Sequence, residues 1–182
     1  MKTLKTIFKL FIREFITNRV VAFIPVISFR MIFYRKVLKI DIGSRVNIQM
    51  GCYIYNSNSS FCIGNNTVIN RACVLDRRGD LYIGSNVNIS HGVEIYTAGH
   101  NINSSNFSDF TRRTVVDDYV WLGGRSIIMP GITIEKGAVV LPGSIVTKDV
   151  GSFNVVGGNP AKVIGKRNKN LNYDPSWMPL FQ

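Results

Sequence analysis

Histidine is the scarcest reactive side chain in this 182-residue sequence: there are two, His91 and His100. Cysteine is almost as rare, at three. Two histidines and no metal-spaced Cys/His cluster leave too few ligands for a three-histidine metal centre, so no metal is required. An odd cysteine count without a signal-peptide pattern argues for reduced thiols in a cytoplasmic setting. Long hydrophobic runs are also missing. The strongest, Val20 to Phe33, contains Pro25 and Arg30 and falls short of the roughly 20 apolar residues that a spanning helix needs. Acidic residues are nearly absent from positions 1–40, where Glu14 stands against nine Lys or Arg. No helix-turn-helix, zinc or base-stacking motif accompanies that charge, which excludes a nucleic-acid partner.

What is present is a period of six. Val116, Leu122, Ile128, Ile134, Val140 and Val146 fall at six-residue steps, and four places on run Val120, Ser126, Ile132, Ala138, Ser144 and Val150. Six fits neither the 3.6 of a helix nor the 2 of a half-buried strand. It fits a coil with three flat sides, a parallel β-helix. The same period continues backwards through Ile42, Ile48 and Ile54, then Ile63, Ile69 and Leu75, then Ile83, Ile89 and Ile95, with small slips between coils. The chain is therefore mainly β, with about five coils over residues 42–151 stacked at roughly 4.8 Å. Cys52 and Cys73 fall in the inward small-residue column. The pairs Ile42-Gly43, Ile63-Gly64 and Ile83-Gly84 predict corners at positive φ, and Asn65, Asn66, Asn86 and Asn88 suit the same corners.

Residues 1–40 lack this period and carry a net charge of +8. Leu4, Ile7, Phe8, Phe11, Ile12, Phe15 and Ile16 predict an amphipathic helix, with a break at Thr17 to Arg19 and another at Pro25. Two compatible roles follow. One is a cap over the open end of the solenoid. The other is contact with an anionic membrane surface, peripheral at its inner face. Residues 152–182 read as a C-terminal extension in which Gly157, Gly158, Asn159 and Pro160 stop the solenoid. Trp177, Met178, Leu180 and Phe181 predict an apolar patch packed on a neighbour or on the arm.

The period fails once. After Ile95 the next anchor is Val116, so about 15 residues, His100 to Thr114, protrude as a polar loop. Loops thrown from a rigid scaffold often carry function. His100 stands at its base, either as a solvated corner residue or as a general base near neutral pH. No Cys nucleophile or Ser-His-Asp arrangement is evident, which favours direct transfer over a covalent intermediate. His91, also near a corner, reads as structural or acceptor-side.

The segment VVDDYVWLGGRSIIMPGITIEKGAVVLPGSIVTKDV, followed by GGNPAKVIGKR, closely resembles the hexapeptide-repeat acyltransferases. YTAGH with its polar loop resembles the branch of maltose, galactoside and polysaccharide O-acetyltransferases. INRACVLDRRGD with the basic arm is similar to enzymes that decorate bacterial exopolysaccharide, capsule or lipopolysaccharide. The resemblance covers roughly residues 42–167. It implies a left-handed β-helix, a homotrimer with active sites between neighbours, acetyl-CoA as co-substrate, and a sugar or glycan acceptor. It makes His100 the catalytic base and gives Asn70 a role in positioning the acceptor or the tetrahedral intermediate. Column counting sets Asn70 and His100 at different corners, so they would meet only across a trimer interface. Asp76, Arg77 and Arg78 fall on the acceptor side. On the donor side, Trp121, Gly123 and Gly124 match a WIGG-like motif, Pro142 stands at a usually small site, and Thr147 and Lys148 match a TKD motif. Lys162 replaces a common Arg. A different small acceptor (free sugar, nucleotide-sugar amine or antibiotic) and a non-catalytic β-helix scaffold are the alternatives.

Overall fold

The computed structural model describes residues 3–176 and Met178. Short parallel strands stack into three walls. The first wall holds Asp41–Ile42, Phe61–Ile63, Leu81–Ile83, Thr114–Val116 and Thr133–Ile134. The second holds Asn47–Ile48, Val68–Ile69, Asn88–Ile89, Trp121–Leu122 and Val139–Val140. The third holds Tyr53–Tyr55, Val74–Asp76, Glu94–Ile95, Ile127–Ile128 and Ile145–Val146. The register follows the six-residue anchors: Ile83 pairs with Val116, Ile89 with Leu122 and Ile95 with Ile128, so the stack resumes intact across the insertion. All of these anchors are fully buried, as are Cys73, Val120, Ser126 and Ala138. Stacked branched side chains fill a dry core, and each of the strands named so far is only two or three residues long.

A sixth turn begins beyond Val146. Val150 bridges to Ile134, and Asn154–Gly158 joins the second wall in parallel beside Val139–Val140. Gly157 to Pro160 turn the chain rather than stop the sheet, because Ala161–Lys166 returns antiparallel on the same wall. The Ile-Gly pairs also differ from expectation. Gly43, Gly64 and Gly84 are not at positive φ. They are small because a side chain of the next coil lies on them. A Cβ would stand 2.5 Å from Asn65 Oδ1, Ser85 Oγ and Asp118 Oδ1 respectively. Those same oxygens accept the N–H groups of Ser44, Asn65 and Ser85. Asn66 and Asn86 do adopt the left-handed conformation.

The N-terminal segment caps the first coil. Helix Leu4–Leu10 continues without a break at Thr17 as a wider π-type helix, Phe11–Val20, in which Thr17 Oγ1 donates to the Ile12 carbonyl at 3.0 Å. The chain breaks later, at a 3-10 turn over Val21–Phe23 and at Pro25, before helix Ile27–Lys36. In every later coil the anchor carbonyl accepts an N–H from the coil beneath, as Ile63 does from Gly43 and Ile69 from Gln49. The first coil has no coil beneath it, and three cap side chains take that place. Arg35 Nη2 reaches the Ile42 carbonyl at 3.2 Å and Arg30 Nη2 the Ile48 carbonyl at 3.0 Å. The Asn18 amide donates to the Ile54 carbonyl at 3.1 Å and accepts the Ile54 N–H at 2.8 Å. One polar side chain per wall thus closes a sheet edge that would otherwise be free to pair.

The C-terminal tail runs back down the corner between the first and second walls. Arg167 Nη1 donates to the Tyr119 carbonyl at 2.9 Å, and Asp174 pairs with Arg45 of the first coil at 2.9 Å. The apolar patch expected at Trp177, Leu180 and Phe181 lies outside the described residues; Met178 is exposed.

Candidate active site

The insertion is a β-hairpin. Its arms, Ala98–His100 and Asp109–Thr111, pair antiparallel with His100 opposite Asp109, and Thr114 is already buried in the first wall. The protrusion therefore starts two residues before His100 and ends before Thr114. His100 is half exposed, with Nδ1 2.8 Å from Asp109 Oδ1 and 3.3 Å from the Phe107 carbonyl. Two acceptors at Nδ1 hold the ring proton there and leave the Nε2 lone pair free, the tautomer a general base needs. The Phe107 ring stacks on the imidazole at 4.2 Å between centroids, 12° from parallel. Phe107 does this from a left-handed backbone, φ 49°, a conformation that Tyr119 and Phe153 also adopt at turns elsewhere in the stack. Neither Phe107 nor Asp109 carried a periodic signal in the sequence.

His100 opens onto two cavities that share Phe110 in their walls. One, of about 350 Å³, is lined by Arg78, Ala98, Gly99 and Asp109; the other, of about 290 Å³, by Asn101, Ile102 and Arg112. The three residues Asp76, Arg77 and Arg78 separate into different roles here. Asp76 is fully buried and holds the hairpin base through the N–H groups of Thr97 (3.0 Å) and Ala98 (3.2 Å). It also takes both Nε and Nη2 of Arg78 at 3.0 Å. Burial alone would raise the Asp76 carboxyl, but these hydrogen bonds and the guanidinium charge outweigh it and hold it below the usual carboxylate range. Arg77 is buried and points away, donating to the carbonyls of Leu38 and Ser59 at 2.7 and 2.6 Å. Arg78 alone reaches the cavity, over the Tyr55 ring at 4.7 Å. Beside it, burial and a hydrogen bond to Glu94 push the Tyr96 hydroxyl up to about 12.

Asn70 lies at another corner, between the second and third walls, with its amide donating to the Ile89 carbonyl at 2.7 Å. The same corner holds His91, Gly124 and Pro142, with Trp121 just before it on the second wall. Trp121 Nε1 donates to Ser90 Oγ at 3.0 Å. A Cβ on Gly123 would meet the Pro142 backbone nitrogen at 2.5 Å, so its smallness serves the contact between coils. A Cβ on Gly124 would meet the His91 ring at 3.2 Å. His100 and Asn70 are thus one wall apart.

Thr147, Lys148 and Lys162 come together. They line a groove of about 320 Å³ with Asp149, Pro160 and Ala161, above the corner that holds His100. Two ammonium groups at an open groove suit the phosphates of a coenzyme A. Among the described residues, no group of three or more His, Cys, Asp or Glu stands where it could hold a metal ion.

No family model matches the chain. A chloramphenicol acetyltransferase of Agrobacterium fabrum is 56% identical over 54 residues; the match spans 30% of this chain and 26% of that relative's length. A hexapeptide-repeat acetyltransferase of Vibrio cholerae, solved with acetyl coenzyme A, is 26% identical with a TM-score of 0.70 over 78% of each chain. A maltose O-acetyltransferase of Clostridium difficile is 30% identical with a TM-score of 0.62, covering 78% of this chain and 76% of its own. Stacked six-residue coils, a histidine on an ejected hairpin and these likenesses together establish that the chain belongs to the hexapeptide-repeat acetyltransferases.

Proposed function

We propose that this chain is an acetyl-CoA-dependent O-acetyltransferase acting on a sugar hydroxyl, as a homotrimer in the cytoplasm, with a unit of a surface polysaccharide as acceptor. One observation carries the reading: His100 lines a solvent-open cavity with Nε2 unbonded among the described residues, while Asp109 and Phe107 fix Nδ1. The resemblance of the 42–167 segment to sugar-modifying members supports the acceptor class, and the maltose enzyme among the solved neighbours agrees with it.

The acetyl donor supplies an activated thioester. His100 Nε2 takes the proton of the attacking hydroxyl as its oxygen bonds the acyl carbon. The imidazolium, steadied by Asp109, then returns that proton to the departing thiolate, so His100 ends each turnover as it began. Arg78, braced by Asp76, sits where it can orient acceptor oxygens. Asn70 would come from the neighbouring subunit, because a single chain sets it one wall away from His100. Thr147, Lys148 and Lys162 hold the donor.

The test is acceptor-dependent release of coenzyme A thiol over a panel of sugars and oligosaccharides, with mass spectrometry of the product. An ester-linked acetyl group on a sugar is the expected result. Acetylated amines alone, or no release with any hydroxyl acceptor, overturns the reading. Asp109→Asn should lower kcat by about tenfold with little change in KM for the donor, because it weakens the hold on the tautomer without removing the base.

A further inference from the structure

We propose that the N-terminal cap docks on an anionic lipid bilayer, the first helix lying in the interface and the coil stack standing above it. The proposal stands on the cap alone and does not depend on the acetyl-transfer reading. A helix on a globular protein ordinarily turns its apolar stripe inward. Here most of the stripe faces outward, while Ile16 packs against the core. Ile7, Phe8, Phe11 and Phe15 recur at three and four and are 53%, 62%, 47% and 51% exposed, while the buried residues of the same helix are Thr17 and Asn18. The Phe11 and Phe15 rings stack at 5.2 Å, which makes the stripe continuous. Phe29 and Ile32, on the second cap helix, add exposed apolar surface at 52% and 59%.

The charge identifies the occupant. The segment carries nine basic residues and one acid. Arg30 and Arg35 serve the solenoid edge, but Arg19, Lys36 and Lys39 are exposed, and Lys5 and Lys9 alternate with the stripe in the sequence. A second copy on this face would set two strongly positive surfaces against each other. An anionic surface complements both the charge and the apolar stripe. No helix among the described residues is long and apolar enough to cross a membrane, so the cap would lie on the bilayer. In a cyclic trimer, symmetry sets all three caps at one height, so they meet one plane together.

The experiment is flotation of the full-length chain with vesicles of phosphatidylcholine alone, or with about one third phosphatidylglycerol. Co-flotation with the anionic vesicles only, weakening as salt rises, is expected. Phe8→Ser/Phe11→Ser/Phe15→Ser should lower partition by about a hundredfold, and Lys5→Glu/Lys9→Glu by about tenfold or more. Melting temperature and mass by light scattering should stay as in the wild type. A wild-type chain that remains at the bottom of the gradient with anionic vesicles overturns the proposal. So does a triple-Ser variant that floats like the wild type. A higher oligomer that depends on the three phenylalanines, without vesicle binding, replaces the lipid with a second copy and overturns it too.

Discussion

Replacing Asn18 with leucine, of similar size, tests how the coil stack is closed. Asn18 is 3% exposed and makes two hydrogen bonds to one residue, Ile54. The variant leaves the Ile54 N–H buried without a partner, a loss of about 1–3 kcal/mol. The Ile54 carbonyl keeps a second donor, Asn56 Nδ2 at 3.1 Å, so losing the Asn18 bond there costs only about 1 kcal/mol. The sum is about 2–4 kcal/mol, and at about 2–4 °C per kcal/mol for a chain of this size the melting temperature should fall by about 4–16 °C. Circular dichroism melts at fixed protein concentration read this directly. Adding Asn56→Ala orphans the carbonyl as well, so the double variant should lose more than the two single losses combined. A fall of less than about 2 °C, or strict additivity of the pair, would refute the view that this amide stands in for a missing coil.

Gly123→Ala drives a Cβ to 2.5 Å from the Pro142 nitrogen and should cost about 3 kcal/mol in urea denaturation. Gly143→Ala, with nothing within 4 Å but φ at +69°, should cost only about 1 kcal/mol. Asp76 has its carboxyl held down in the folded state, so the unfolded chain binds its proton more readily. Its contribution is therefore present above the ordinary aspartate value of about 3.9 and is lost as pH falls through the lower folded value. Asp76→Asn should lower stability at neutral pH and flatten the acid limb, read as urea midpoint against pH. Co-assembling inactive His100→Ala and Asn70→Ala chains in equal amounts should restore about a quarter of wild-type turnover if each site takes one residue from each neighbour. No recovery after subunit exchange places both residues' work within one chain.

The sequence carried the stack and its register because the constraint is local and repeated. Each anchor must fill the same inward slot, so Ile83 finds Val116 across an insertion of any length. His100 was legible for the converse reason, as a histidine where the repeat breaks. Asp109 and Phe107 were not, since an antiparallel hairpin sets its partners by turn geometry and leaves no period. The Ile-Gly corners were seen but explained wrongly. Glycine there answers an approaching side chain from the next coil, which no single hexapeptide reveals. Arg77 and Arg78 are adjacent and chemically alike, and only the corner decides that one is buried on backbone carbonyls while the other faces the cavity. The helical arm was read correctly as apolar and basic, but its period could not say that most of the apolar stripe faces outward while Ile16 packs on the core.

The most direct measurement is the turnover of His100→Ala beside its affinity for acetyl-CoA. A positioned base contributes about a hundred- to ten-thousandfold, so kcat with a sugar acceptor should fall by that factor. The groove at Thr147, Lys148 and Lys162, the proposed donor site, is untouched, so the calorimetric Kd for acetyl-CoA should stay within about threefold of wild type. A kcat within tenfold of wild type, at unchanged Kd, would contradict the assignment of His100 as the base.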